Sequence, residues 1–365
     1  MSDPNTLRIL ELDGGGERGY LSLNFLIKFI QQWGIDPGEI WKHFDVICGT
    51  SIGGIVSLAL AFGKTPDELT TFFTTDGPLL FSTNGTPSNR ATTIDKLLAF
   101  APLNPYSGVP FYSTQGTEYT YGSNLLVTKL QNMFTTNTMQ NLLTNVVIPS
   151  YKVTLRDDLT LSSGIYTLCS NKTIPGFVAQ NELISNVALA TSAAPFYLPS
   201  LSVTATNPND SSYLNGRYID GGVYANNPAL FGWNLAQILK PTARRCCVLS
   251  IGTGLGEMGF DDQTTPSPSL TANADPLVSI SNLFALFDVA ATGGQESIAK
   301  SLLLESSYTL NKLYYYRFQP ILDPTKDTEL DNTDSDILQY YVDTANTWFN
   351  DDIDNINTFI GHLTA

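Results

Sequence analysis

The sequence predicts an α/β protein with a mainly parallel central sheet and helices on both of its faces. Three observations carry this: short apolar runs that end in glycine turns, apolar residues at helical spacing just after those turns, and the repetition of that pair along the chain. Strands that alternate with helices give a parallel sheet, because the chain must cross back over a face before it lays down the next strand.

The run "LRILELDGGG" reads as a buried strand ending in a glycine turn, after which Leu26, Phe29, Ile30 and Trp33 recur at helical spacing. "DVICG" is a second strand and "IGGIVSLALAFG" an apolar helix, so the first 65 residues hold two βα units. Residues 75–122 are rich in Thr, Ser, Asn, Gly and Pro and read as long connections over the active face. "NVVIPSYKVT" is a strand, "SNVALATSAAP" a helix ended by proline, "RYIDGGVYANNP" a strand entering a turn, and "RRCCVLSIGTG" a further buried strand. Apolar patterning runs from 147 to 255 without a linker-like break, which argues for one continuous domain, placed at 1–320. "FDDQTTPSPSLTANADP" reads as a surface loop. From 321 to 365 the chain turns acidic, "LDPTKDTELDNTDSD", and then brings Ile337, Tyr340, Tyr341, Trp348, Ile356, Phe359 and Ile360 in a helical rhythm. That pattern describes an acidic helical extension packed on the domain by its aromatic face. The acidic run lacks the glycine and terminal glutamate of an EF-hand at the required offsets, so no metal site is assigned to it.

With 42% hydrophobic and 15% charged residues in 365, the chain can bury a sizeable core. Its net charge of −15 repels phosphate backbones, which removes nucleic acid from the expected partners. A lipid surface stays open, since an apolar rim can engage it without basic residues. Cys48, Cys169, Cys246 and Cys247 lack C-x-x-C spacing, and neighbours on a strand point to opposite faces, so reduced thiols are expected. The N-terminal run has neither a basic region nor a long apolar stretch, and no segment reaches about 18 apolar residues. The expectation is a cytoplasmic protein that meets membranes peripherally, with export by a signal-independent route left open. The sequons at Asn84, Asn171 and Asn209 are read as chance matches.

Three glycine-rich loops carry the chemistry. The first, Asp13 to Gly19, has the G-x-G-x-x-G form after a strand and before a helix, but the acidic residue that would hold a ribose about 20 positions on is missing. What remains is a row of backbone N–H groups at a helix start, suited to a developing negative charge, with Arg18 able to steady the loop or screen a phosphate. The second loop is G-T-S-I-G, a nucleophile elbow with Ser51 at its centre, Gly49 and Gly53 as the small neighbours of a strained turn, and the Ile52 amide free to face an oxyanion. The third, Asp220-Gly221-Gly222, reads by itself as an ordinary turn before it reads as a projecting carboxylate. It gains weight from the histidines. His43 is separated from Ser51 by the length of the elbow strand, about 20 Å at roughly 3.3 Å per residue. His362 lies three residues from the end of the given chain. A serine without a histidine needs another base, and a carboxylate serves if burial raises its pKa toward the working pH. Asp220 is the candidate.

In this order, "DGGGERG", "GTSIGG" and "DGG" resemble the three signatures of the patatin-like phospholipases, with lesser matches at "NVVIPSYKV", "ATSAAPFYLPS", "NNPAL" and "LSIGTG". The resemblance spans roughly residues 7–320. It implies a three-layer fold and a serine lipid acyl hydrolase acting on phospholipids or other polar lipids, with Ser51 as nucleophile and Asp220 as base. It further implies Gly14, Gly15 and Gly16 as the oxyanion hole, Arg18 at the loop's usual basic position, and no cofactor or metal. A second G-x-G-x-x-G, at Gly254 to Gly259, falls in the "GTG" region and runs into a Pro-rich loop, so it is discounted as a phosphate site. Two rivals stand beside this reading: a lipid-binding or scaffold protein with a dead elbow, and a dinucleotide-dependent oxidoreductase built on Gly14 to Gly19. Head group, chain length and any regulatory partner are not fixed by these motifs.

Overall fold

The computed structural model describes residues 5–82, 121, 124–153, 164–169, 177–195, 197–205, 213–256, 276–307 and 312–365. The three sequons, most of the 83–122 connection and the run that begins at Phe260 lie outside the described residues. In chain order the strands are β1 (Thr6–Leu12), β2 (Val46–Gly49), β3 (Asn145–Val153), β4 (Gly164–Cys169), β5 (Phe177–Val178), β6 (Leu201–Val203), β7 (Gly216–Asp220), β8 (Arg245–Ile251) and β9 (Leu313–Phe318). They form one nine-stranded sheet of order β5-β4-β3-β2-β1-β8-β9, with β7 pairing β3 and β6. From β3 across β2, β1 and β8 to β9 every pair is parallel. The antiparallel pairs gather around β3, β4, β6 and β7.

The middle strands are apolar on both faces because both faces are covered. Leu7, Ile9, Val46, Cys48, Val147, Cys246 and Val248 pack on one side with residues of the helices Ala229–Leu239 and Pro276–Ser307. Leu10, Leu12, Ile47, Val146, Ile148, Leu249 and Ile251 pack on the other, against the helices Gly19–Trp33, Ile52–Ala61 and Ile184–Thr191. The alternation has the period of two that a strand imposes. Three layers result. Cys48, Cys246 and Cys247 are free, buried thiols.

Two departures from the sequence reading have clear causes. The connection expected from residue 75 starts later, because Phe72, Phe73 and Leu80 bury apolar side chains and carry the chain onward as a π turn, Phe72–Asp76, and a short helix, Gly77–Leu80. The tyrosine-rich run "LYYYRF" becomes β9, an edge strand laid in parallel register on β8. Beyond it the helices Ser335–Asp351 and Ile353–Thr364 pack on Gly19–Trp33. Phe349 meets Phe25 and Phe359 meets Phe29, with ring centroids 6.2 and 6.3 Å apart. The Tyr316 hydroxyl donates to Asp352 at 2.7 Å, tying this segment to the sheet. Among the described residues no helix is long and apolar enough to cross a membrane.

Candidate active site

Strand β3 is long enough to serve two neighbours on one edge. Its opposite edge is occupied by β4 along Val147–Lys152. On the near edge, Asn145–Val147 pair in parallel with Val46–Cys48, and Ser150–Val153 pair antiparallel with Arg217–Asp220. Strands β2 and β7 therefore run toward each other and end three residues apart along β3, about 10 Å at roughly 3.3 Å per residue. Ser51 follows the end of β2 and Asp220 is the last residue of β7, so residues 169 positions apart in the chain face each other across that gap.

Thr191 closes the gap. Its hydroxyl donates to the Pro149 carbonyl at 2.6 Å and accepts from the Ser51 N–H at 3.0 Å. The Asp220 N–H donates to the Ala193 carbonyl at 2.9 Å and the Gly221 N–H to Thr191 at 3.3 Å. One short segment at the end of the helix Ile184–Thr191 thus fixes both functional residues. Thr50 completes the clamp by donating its hydroxyl to the Ala225 carbonyl at 2.6 Å.

Ser51 has φ 56° and ψ −125°, a left-handed conformation that a side-chain-bearing residue adopts only when its surroundings impose it. They do. A Cβ on Gly53 would strike the Leu12 and Asp13 carbonyls, and one on Gly49 would strike the Gly53 carbonyl. Strand and helix approach that closely only through glycine, and the turn between them lifts the serine out of the sheet.

Asp220 is 2% exposed, and among the described residues no cation pairs with it. Burial pushes its carboxyl up from the ordinary value of 3.8 to about 7, while a hydrogen bond from the Ser51 hydroxyl and one from the Gly222 N–H at 2.6 Å pull it back. The structure therefore sets Ser51 and Asp220 side by side at one cleft. Neither histidine is near. His43 packs on Trp33, ring centroids 5.2 Å apart, ahead of β2. His362 stacks on Tyr314 at 3.8 Å, and its carbonyl accepts from Arg245 at 2.9 Å. Both sit at the strand beginnings, the end of the sheet away from Ser51.

The first glycine loop stands over the same spot, and its three glycines differ. The Gly14 N–H is committed to the Asn226 carbonyl at 3.1 Å, so it is no free donor for an oxyanion. Gly14 acts through its size: a Cβ there would strike Asn226 and lie 3.2 Å from the Ser51 Cβ. The amides of Gly15 and Gly16 donate to no backbone carbonyl in the described residues, and Gly16 takes φ 55° under the Leu330 carbonyl. Arg18 lines the cleft, half-buried, with its Nε enclosed and unpartnered.

Several supports lie outside the three motifs. Asn226 donates to the Gly14 carbonyl at 3.2 Å and to Gln295 at 2.6 Å, and Thr253 donates to the same Gly14 carbonyl at 3.0 Å. Arg317 of β9 grips Asp13 through both terminal nitrogens, one at 3.0 Å, and comes within 3.6 Å of Glu11. Burial and the neighbouring Asp13 push the Glu11 carboxyl well above its usual range. Leu330, from the acidic stretch after the sheet, accepts from the Glu17 N–H at 2.7 Å. Neighbouring polar letters in "ANNP" and "GTG" were the available signals for Asn226 and Thr253; Arg317 and Leu330 had none, since tertiary contact alone defines them.

The cleft encloses about 80 Å³ and opens to solvent. Ser51 and Asp220 stand at its polar end, and Ile52, Ile55, Phe72, Leu80, Phe81 and Leu198 form an apolar wall. Among the described residues no cluster of three His, Cys, Asp or Glu side chains is arranged to hold a metal ion.

A strained serine elbow, glycine amides at a helix start and an apolar cleft thus meet at one place in the fold. The profile of the patatin-like phospholipases matches residues 10–233, and this chain belongs to that family. It is 28% identical over 320 residues to a Vibrio cholerae protein named cGAMP-activated phospholipase, covering 84% of this chain and 79% of that one. It is 29% identical to patatin-like protein 1 of rice (Oryza sativa subsp. indica), over 67% of this chain and 58% of the rice protein. Patatin-like protein 2 of Arabidopsis thaliana is 30% identical over 68% of this chain and 60% of its own length. The chain thus spans about three fifths of the plant relatives.

Proposed function

We propose that the protein hydrolyses carboxylic ester bonds of phospholipids or other polar lipids through a Ser51–Asp220 dyad. In this mechanism Asp220 takes the Ser51 proton as the hydroxyl attacks the ester carbonyl. The Gly15 and Gly16 amides, with that of Ile52, receive the oxyanion, each contributing a few kcal/mol to the transition state. The protonated Asp220 then gives its proton to the departing alcohol, and a water deprotonated by the same carboxylate releases the acyl group from Ser51. Arg18, at the cleft wall, screens the anionic head group.

One observation carries the reading: a carboxylate buried without a cation, its pKa near 7, accepts a hydrogen bond from a serine held in a strained elbow. A buried acid with no counter-charge contributes nothing to stability at neutral pH, whereas a base must have this poise. Ser51→Ala and Asp220→Asn are each expected to lower kcat/KM on a short-chain ester by about a thousandfold or more, with unchanged circular dichroism. Hydrolysis retained by the serine variant would remove the reading. Labelling of Ser51 by a fluorophosphonate separates it from a dead elbow in a lipid-binding scaffold.

The proposal extends to place and control. We assign the enzyme to the cytoplasm, peripheral to membranes during catalysis, which sedimentation with phospholipid vesicles tests. The Vibrio cholerae relative is named for activation by cGAMP. Activation by a related cyclic dinucleotide is the corresponding proposal here, and ester hydrolysis with and without cGAMP decides it.

A further inference from the structure

Between the glycine loop and Arg18 stands Glu17, to which the mechanism above gives no task. Its N–H is fixed to the Leu330 carbonyl, and its side chain lines the cleft while only 2% exposed. Ile52, Phe72, Leu80, Phe81 and Leu126 line the same cleft, together with Arg18, and Tyr341 lies within electrostatic reach of Glu17. Gly77 makes room for the carboxyl, since a Cβ there would lie 2.7 and 2.9 Å from its two oxygens. Oε1 is sealed from solvent and meets no hydrogen-bond partner among the described residues. Burial drives the group well above the usual carboxylate range, which favours its protonated, hydrogen-bond-donating form.

For a plain alkyl chain this is a poor wall. A leucine would fill similar space without the penalty of an unpaired buried polar group. The arrangement is favourable only when a hydrogen-bond acceptor arrives with the ligand. An anionic group in this cleft is met by Arg18; a hydroxyl, keto or epoxide oxygen carries no charge and suits the protonated acid of Glu17.

We propose that Glu17 is a specificity-determining residue that hydrogen-bonds an uncharged oxygen on the substrate's acyl chain, so that the site takes hydroxylated or otherwise oxygenated acyl esters over plain alkyl ones. The inference rests on the acyl-hydrolase reading of the cleft. A site built to hydrogen-bond a substrate group discriminates strongly against the analogue without it, because its own polar atom is then left unpaired.

The test uses p-nitrophenyl esters of one chain length, unsubstituted or carrying a hydroxyl at successive positions. The wild type should favour at least one hydroxylated isomer by about tenfold or more in kcat/KM. Glu17→Leu should erase that ratio, and Glu17→Gln, which keeps an N–H donor and the shape, should retain most of it. The ratio is internal to each variant, so a general loss of loop geometry cancels. A calorimetric arm measures the matching free fatty acids on Ser51→Ala, where the hydroxylated acid should bind more tightly and the added Glu17→Leu should abolish the difference. If no ester is hydrolysed but the binding preference follows Glu17, the hydrolase reading fails and this inference stands. A preference absent from both arms, or one that survives Glu17→Leu, overturns it. So does a Glu17→Leu variant that merely melts at a higher temperature with its selectivity unchanged, since Glu17 is then only a misfit in the wall.

Discussion

Two strands of this protein run out into the same three letters, Asp13-Gly14-Gly15 and Asp220-Gly221-Gly222, and both aspartates are buried, 1% and 2% exposed. Their surroundings differ. Asp13 is gripped by the Arg317 guanidinium, with Glu11 and Ser250 completing a closed polar cluster beneath the glycine loop. Asp220 meets, among the described residues, a hydroxyl and a backbone amide but no cation, and burial carries it to about 7. The pair teaches that a buried carboxylate holds a loop when a cation neutralises it and becomes available as a base when none does.

The sharpest way to break the comparison is to remove the cation. Arg317→Met leaves Asp13 buried and unpaired, and the loss of one partner of a buried ion pair costs about 3–5 kcal/mol. The urea midpoint should fall accordingly; a variant as stable as the wild type would show that Arg317 does not hold Asp13.

The second variant has the opposite sign. The folded-state pKa of Asp220 lies above its ordinary value of 3.8, so the folded protein binds that proton more tightly than the unfolded chain. The associated stability is present below about pH 4 and is lost as pH rises toward about 7. At 1.36 kcal/mol per unit, the loss is at most about 4 kcal/mol. Asp220→Asn should therefore be more stable than the wild type at pH 8 and gain little at pH 4, as melting temperatures at the two pH values will report. A constant offset at both would mean that the carboxyl titrates alike in the folded and unfolded chain.

A smaller effect tests the elbow. Gly53→Ala sets a methyl against the Leu12 and Asp13 carbonyls and should destabilise by about 1–3 kcal/mol in denaturant. The smallest effect is expected at the far end of the sheet. His43→Gln removes a ring edge-on to Trp33 and should cost about 1 kcal/mol or less of stability, with ester hydrolysis unaltered.

Much of this was legible in the sequence. Short apolar runs and glycine turns give β1, β2, β3, β7 and β8, and the short spacing around Ser51 gives the elbow, because each is a local rule. Asp220 was reachable by a chemical argument, the shortage of histidines, although its own letters read first as a turn. What sequence spacing could not supply was the register of β3, which alone brings Ser51 and Asp220 together. Nor could it tell Gly14 from Gly15 and Gly16, since the commitment of one amide to Asn226 is a tertiary fact. Arg317 and Leu330 lie beyond residues 10–233, the part matched by the family, yet they hold the loop on which the family's chemistry rests.

The measurement that bears most directly on the proposed base is the pH dependence of kcat/KM for a neutral ester, taken on the wild type and on the His43→Gln/His362→Gln double variant. Both should rise through a single step near pH 7, at similar rates, as Asp220 loses its proton. A step that disappears or moves when the histidines are replaced, or one that persists in Asp220→Asn, would contradict it.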